Sequence, residues 1–388
     1  IKMKYIFRVI VAFSVLSIHL PAWSQQIKIG NYKFHDGSEY QGELVKGKPN
    51  GMGTTTFPNG DTHTGLYVKG KRQGMGVYQF SDGEKYEGEW FQGQQHGKGT
   101  YYFSNNNRYE GLWFRDFQHG EGTMFYYNGD RYVGNWAEDK REGNGHYTYA
   151  NGAYYKGEWK QDEKDGKGVF DWHDGNIYEG EWKNNKRHGK GKYNYANGES
   201  YSGDWIEDQQ HGKGIYKFQD GNIYEGHYVK GERTGEGIFT FANGDKYVGN
   251  YLKGEQHGHG VFTWHTGAMY DGEWSHNKQH GRGKYSWANG DTYDGMWKNG
   301  LMDGEGIFRQ ADGAKFKGIF KQGKKEGHGI MEDADGLRSE GNFHDDLKHG
   351  IFVERDKNGQ IVREVNYVNG VEKPKSQNDS TTVKNKVK

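Results

Sequence analysis

A 23-residue repeat constrains this chain more than any other feature. The motif Tyr86-Glu87-Gly88-Glu89-Trp90 and the eighteen residues after it return without insertion or deletion. The fourteen copies start at residues 40, 63, 86, 109, 132, 155, 178, 201, 224, 247, 270, 293, 316 and 339. Because a short fixed period is the mark of arrays in which each unit packs on its neighbours, we expect a repeat fold.

Two columns of the repeat define a strand with one special face. The third motif position is Gly in all fourteen copies, and the fifth is always a large apolar residue, Trp in eight of them. Side chains alternate along a strand, so Tyr86, Gly88 and Trp90 share a face while the two glutamates occupy the other. Glycines in register indicate a close backbone approach in every unit, and they leave slots into which neighbouring rings can fit.

Two turns divide each repeat into a hairpin. Three residues after the large apolar position lies Gly, Asp or Asn, the types that tolerate positive φ. A pair such as Gly97-Lys98-Gly99 then opens a second run, with aromatics at two-residue spacing such as Tyr101 and Phe103. An Asn-Gly or Asp-Gly pair such as Asn128-Gly129 ends the unit and is a strong hairpin signal.

One such hairpin buries too little apolar surface to be stable alone, so neighbouring hairpins must pair and pack. The sequence therefore predicts an all-β fold, an elongated, twisted, single-layer antiparallel sheet of stacked β-hairpins. At about 4.8 Å per strand, fourteen units would extend about 130 Å.

These columns resemble the MORN (membrane occupation and recognition nexus) repeat. The family pattern is Tyr-x-Gly-x-Trp, a turn, Gly-x-Gly and Asn-Gly, and it is met over roughly residues 30 to 350. The resemblance implies an array of stacked hairpins. It also implies a scaffold rather than one shared activity, with an association with membranes as a further possibility.

The two ends of the chain differ from the array. Lys2, Lys4 and Arg8 precede an apolar run from Val9 to Leu20, and small residues at the ends of the following segment favour cleavage after Ser24. The alternative, a membrane anchor, is disfavoured because about twelve apolar residues fall short of the ~20 needed to span. The predicted divisions are a signal peptide (1–24), the repeat array (25–371) with a truncated cap (30–39), regular repeats (40–349) and a divergent last repeat (350–371), and a disordered polar tail (372–388).

Cysteine is absent, which excludes thiol chemistry and suits an exported protein of bacterial type. We expect a location in the periplasm, at the cell surface or in the medium. Only 32% of the residues are hydrophobic and 64 are glycine, which leaves no thick core for a buried active site. The 52 basic and 52 acidic residues balance, so nucleic acid is not expected as a partner.

Histidine and glutamate are the candidates for chemistry. Successive copies of the histidine column would lie about 9.6 Å apart, too far to share an ion, so a polar turn residue is expected. Outward carboxylates at suitable separations could serve glycoside hydrolysis, but no pair stands out and a solvated face explains them. The sequence predicts no catalytic residues, cofactor or metal. The histidine column is His96, His119, His188, His211, His257, His280 and His349, and the carboxylates include Glu87, Glu89, Glu179, Glu181 and Glu273.

The aromatic stripe is the candidate interaction face, because some rings in a single-layer sheet are expected to stay partly exposed. It comprises Tyr86, Trp90, Tyr109, Trp113, Tyr132, Trp136, Tyr155, Trp159, Tyr178, Trp182, Tyr201 and Trp205. The leading hypothesis is a non-catalytic scaffold that binds a protein partner, or a second copy of itself, along this groove or through its terminal strands. A second is binding of an envelope lipid or glycan, since rings stack on sugars. An enzyme, suggested only by the abundant His and Glu, is the third.

Overall fold

The computed structural model describes residues 27–373, and these form 31 β-strands and no α-helix. None of the segments that the structure describes is a helix able to span a membrane. The predicted signal peptide and most of the predicted polar tail lie outside the described residues. The all-β prediction, with hairpins as the unit, is confirmed.

The chain divides into two compact units. The first runs to Tyr127 and includes Trp136–Asp139. Its strands are β1 (Lys28–Lys33), β2 (Glu39–Val45), β3 (Lys48–Thr56), β4 (Thr62–Val68), β5 (Lys71–Gln79), β6 (Lys85–Phe91), β7 (Gln94–Tyr102), β8 (Arg108–Phe114) and β9 (Phe117–Phe125). Within this unit each of these strands pairs antiparallel with the next.

The second unit comprises Asn128–Asn135 and the chain from Lys140 onward, and β10 (Arg131–Ala137) contributes residues to both units. Its strands are β11 (Lys140–Thr148), β12 (Tyr154–Lys160), β13 (Glu163–Asp171), β14 (Ile177–Lys183), β15 (Lys186–Asn194), β16 (Ser200–Ile206), β17 (Gln209–Lys217), β18 (Ile223–Val229), β19 (Glu232–Thr240), β20 (Lys246–Leu252), β21 (Glu255–Thr263), β22 (Met269–Ser275), β23 (Lys278–Ser286), β24 (Thr292–Lys298), β25 (Leu301–Arg309), β26 (Lys315–Lys321), β27 (Lys324–Glu332), β28 (Arg338–His344), β29 (Leu347–Arg355), β30 (Ile361–Val368) and β31 (Val371–Lys373). From β11 onward each strand again pairs antiparallel with the next.

The two turns of a repeat have different geometries. Between β16 and β17 the turn has only two residues, Glu207 and Asp208, with φ of 48° and 69°. Two successive positive φ values characterise the type I′ hairpin turn, whose twist matches that of its strands. The turn that contains Asn-Gly is a longer loop, in which the amide of Tyr195 donates to the carbonyl of Glu199 and the positive φ is at Gly198. The predicted positive φ in the Gly/Asp/Asn column is thus confirmed.

A β-bulge, which the repeat pattern did not predict, separates the two glycines of the Gly-x-Gly pair. Gly180 of β14 pairs with Gly191 of β15, but the next residue, Glu181, pairs with His188. The bulged strand turns through Gly189, whose φ is 59°. The first glycine of the pair therefore serves the bulge, and the second serves the close approach.

The core of most repeats is a tyrosine enclosed by glycines and by large aromatic rings, most often tryptophan. Tyr178 is fully buried; a Cβ on Gly180 would collide with its hydroxyl, and one on Gly191 would collide with its hydroxyl and ring. The ring meets Trp182 and Trp205 edge-on, with centroids 5.1 and 5.4 Å away. The predicted glycine slots are therefore confirmed, and each slot also joins one repeat to the next.

Candidate functional site

The predicted interaction face lies in the core. All twelve of its residues are buried, the tyrosines at 0% exposure and the tryptophans at 2–6%. Each tyrosine ring fills a glycine slot, and its hydroxyl donates to the backbone, as Tyr178 does to the carbonyl of Glu181 at 2.9 Å. The expectation that some rings stay partly exposed is therefore not met at these twelve, and a partner on this side would meet other residues. The twelve are Tyr86, Trp90, Tyr109, Trp113, Tyr132, Trp136, Tyr155, Trp159, Tyr178, Trp182, Tyr201 and Trp205.

The accessible rings come from the second strand of the hairpins and from the residue directly after it, where no glycine slot receives them. In the second unit they form a continuous ring ladder with centroid separations of 4.4–5.9 Å. All are half-buried except Phe170, which is 8% exposed. The ring ladder is Tyr147, Tyr149, Phe170, Trp172, Tyr193, Tyr195, Tyr216, Phe218, Phe239, Phe241, Phe262, Trp264, Tyr285, Trp287 and Phe308.

Arginines lie over the rings and bind the following turn. The guanidinium of Arg187 is 4.5 Å from the ring centroid of Trp205, and its Nε donates to Asp208 Oδ1 at 3.0 Å. Two repeats earlier, Arg141 makes the same bond to Asp162 at 2.9 Å. Each pair joins two repeats by a charge-assisted hydrogen bond beside a cation–π contact, and its charges compensate each other.

Lys164 occupies the repeat position between these two arginines, but its surroundings differ. The residue that would be its carboxylate partner is Asn185, which accepts only from the backbone amide of Lys164. In the described chain no hydrogen bond or ion pair reaches Lys164 Nζ, which lies 4.5 Å from the ring centroid of Phe170 and 4.8 Å from that of Trp182. Burial lowers the pKa of this ammonium to about 8. A cavity of about 540 Å³ opens beside it.

A second feature is a groove on the opposite, polar face of the second unit. Its floor consists of the paired glycines of β15 to β20, and its volume is about 970 Å³. Aliphatic side chains line it beside lysines and glutamates, and Ile215 and Val248 are 38% and 43% exposed. We call this the glycine-floored groove. From the sequence this face was expected to be polar, although aliphatic residues such as Ile215 and Val248 stand beside the Gly column.

Several of the outward carboxylates stabilise the bulge. Glu89 Oε1 accepts a hydrogen bond from the backbone amide of Lys98 at 3.0 Å, and Glu181 accepts one from Lys190 at 3.3 Å. Glu87, in contrast, pairs with Lys85 at 2.7 Å. The acid that directly follows the Gly column therefore accepts from an amide that the bulge leaves without a strand partner.

The histidine column gives no metal centre within residues 27–373, where no cluster of three or more His, Cys, Asp or Glu residues could hold an ion. His96 instead lies between two phenylalanines, with ring centroids 5.5 Å from Phe91 and 5.4 Å from Phe114. These contacts link neighbouring turns of the first unit.

Comparison with known proteins adds a family. The family model described as MORN repeat matches thirteen consecutive 23-residue segments from residue 40 to residue 338 and a shorter one at 340–351. Among curated proteins, none matches this chain.

Solved structures with a similar arrangement include the TCP domain of SAS-4 from Drosophila melanogaster with a proline rich motif of Ana2. It is 16% identical, has a TM-score of 0.26, and covers 40% of this chain and 85% of that one. The TCP10 domain of Danio rerio CPAP with a STIL peptide is 9% identical, with a TM-score of 0.18 and coverage of 88% and 100%. An inactive virginiamycin B lyase from Staphylococcus aureus is 11% identical, with a TM-score of 0.13 and coverage of 79% and 96%.

Proposed function

Because this chain belongs to the MORN repeat family, we propose that it is a non-catalytic scaffold that binds an extended segment of a partner protein in the glycine-floored groove. The observation that carries this proposal is the groove itself, about 970 Å³ of accessible space over bare glycine backbone. Because an added Cβ on these glycines would point to the opposite, aromatic face, the floor on this side is backbone between the flanking side chains, and a partner can approach the sheet closely.

The walls of the groove favour a protein segment. Ile215, Ile238 and Val248 supply apolar contact, while Lys213 and Glu236 supply charges of opposite sign. An apolar strip with polar neighbours is typical of interaction surfaces. Mixed charge suits an alternating polypeptide better than a uniformly charged polymer.

The proposed place of action is outside the cytoplasm. The support is the basic start and apolar run ahead of Ser24, together with the absence of cysteine. A second copy of this chain is an allowed form of the partner, and the experiment below separates the two forms.

The test immobilises the full chain, exposes it to envelope extract and compares variants of the groove. Ile215→Lys with Val248→Lys places two ammonium groups in the groove, and we expect retained proteins to fall at least about tenfold. Val229→Lys is the matched control, because Val229 is 47% exposed near a turn and does not line the groove. Light scattering on the same variants shows whether the partner is a second copy. A monomeric protein that retains nothing, or identical retention by both variants, would contradict the proposal.

A further inference from the structure

The strongest unassigned site is the cavity beside Lys164, on the face opposite the glycine-floored groove. In the described chain, the arginines at this repeat position donate to the following turn, as Arg187 does to Asp208 and Arg233 does to the carbonyl of Gly254. Lys164 has no such bond. The repeat that contains Lys164 therefore has a cation at this position, as its two neighbours do, but it lacks the aspartate that pairs with the cation in those repeats.

The charges around the cavity leave one positive charge without compensation. Of the ionic groups that line it, Arg187 and Asp208 bind each other at 3.0 Å, whereas Lys164 has no ionic partner. Asn185 replaces the carboxylate that the two neighbouring repeats supply. A half-buried ammonium beside an open cavity favours an incoming anion, because a carboxylate would restore the charge-assisted bond found in the other repeats.

The other walls of the cavity indicate what the anion is attached to. Trp172 is half-buried in the ring ladder and presents an apolar surface there. The side-chain amides of Asn151 and Asn185 also line the cavity, and the structure records no partner for either Nδ2. Rings that contact an apolar face, with amides that bond hydroxyl groups, are the features with which proteins hold sugars.

We propose that this cavity binds a carboxylated sugar, with its carboxylate on Lys164 and its ring against Trp172. The single negative charge of such a ligand then compensates the single positive charge of Lys164. This site is independent of the proposed groove.

The experiment uses the full chain and three probes, D-glucuronate, D-glucose and acetate, with binding measured by calorimetry and tryptophan fluorescence. We expect glucuronate to bind at least about tenfold more tightly than either of the others, because it alone carries both charge and ring. If acetate binds as tightly as glucuronate, the site accepts any carboxylate, including those of protein side chains. That result would overturn the proposal that the ligand is a sugar. No binding of glucuronate would overturn the site.

Variants locate the binding. Lys164→Arg with Asn185→Asp reproduces the Arg–Asp pair of both neighbouring repeats, so it is expected to fold and to lose at least about tenfold in glucuronate affinity. Lys325→Met is the matched control, since Lys325 holds the same repeat position but has Met331 in place of Phe170. The groove variant should bind glucuronate normally. Unchanged affinity in the Arg–Asp variant would overturn the proposal.

Discussion

The ring of Tyr178 meets the ring of Trp205, one repeat further along the chain, with centroids 5.4 Å apart and planes at 84°. Trp205 Nε1 also donates to the carbonyl of Gly191 at 3.2 Å. These contacts cross the boundary between repeats, whereas Trp182 meets the same tyrosine from within its own repeat. Each repeat is therefore stabilised mainly by its nearest neighbours.

Replacing Trp205 with Ala tests this nearest-neighbour character. The indole is 2% exposed, so we expect its loss to cost about 3–5 kcal/mol in the free energy of unfolding. Hydrogen exchange should accelerate in β14 to β17 and stay unchanged in β26 to β29. An equal acceleration along the whole second unit would show that the repeats unfold as one body.

Replacing Gly191 with Ala tests the glycine slot. A Cβ there collides with the ring and hydroxyl of Tyr178, so the ring must leave its slot, and we expect a loss of about 3–5 kcal/mol. Gly235→Ala is the matched control, because its φ is 60° and nothing lies within 4 Å of a new Cβ. Its expected cost is about 1–2 kcal/mol, from backbone strain alone. Urea unfolding of both variants measures these losses in the free energy of unfolding. Equal losses would count against a steric role for the glycine slot.

Much of this fold was predictable, because the fixed 23-residue spacing shows which residues occupy equivalent strand positions in each repeat. Alternation along a strand places Tyr178 and Gly180 on one face, and an invariant Gly column requires something close above it. The turn column could also be recognised from residue type, since Asp208 and Gly231 both take positive φ. Both features, the shared strand face and the turn conformation, depend on residues that are close in sequence within one repeat.

The exposed ring ladder and the cavity beside Lys164 were not predictable in the same way. Tyr178 and Tyr193 look alike in sequence, but only the first has a glycine slot to fill. The bulge changes register by an amount that the motif does not encode. The Lys164–Asn185 position joins residues 21 apart, and the missing carboxylate becomes visible only when the turn of one repeat is placed on the strand before it.

His63 should make the first unit sensitive to acid. It replaces the anchor tyrosine, is fully buried, and its Nδ1 lies 2.8 Å from the Tyr67 hydroxyl, while Nε2 has no partner. Burial, and next the charge of Arg72, lower its pKa from 6.5 to about 3. The folded state therefore binds fewer protons than the unfolded state between these values. Its stability contribution is complete above pH 6.5 and is lost as the pH falls towards 3.

The expected slope is about 1.4 kcal/mol per pH unit below pH 6.5. Urea unfolding of the full chain, followed by hydrogen exchange in β4 and β5, measures it. His63→Tyr restores the residue found at this position in most repeats, and we expect it to remove this part of the slope. The same slope in both proteins would assign the acid sensitivity to other groups.

The buried tyrosines should make the chain sensitive to base. Burial raises the pKa of Tyr224 from 10.0 to about 12, and it raises the pKa of Tyr178 further. A raised pKa means that the folded state holds its proton more tightly, so this stability is complete below pH 10 and is lost as the pH rises from 10 towards 12. Each such tyrosine contributes about 1.4 kcal/mol per pH unit in that window, and several act together.

Phenolate absorbance and circular dichroism should therefore change in one cooperative transition above pH 10. Tyr224→Phe, which keeps the ring as Phe316 does in its own repeat, should shift that transition upward by removing one ionisable group. Core tyrosines that ionise near pH 10 while the sheet persists would contradict the burial on which the whole array depends.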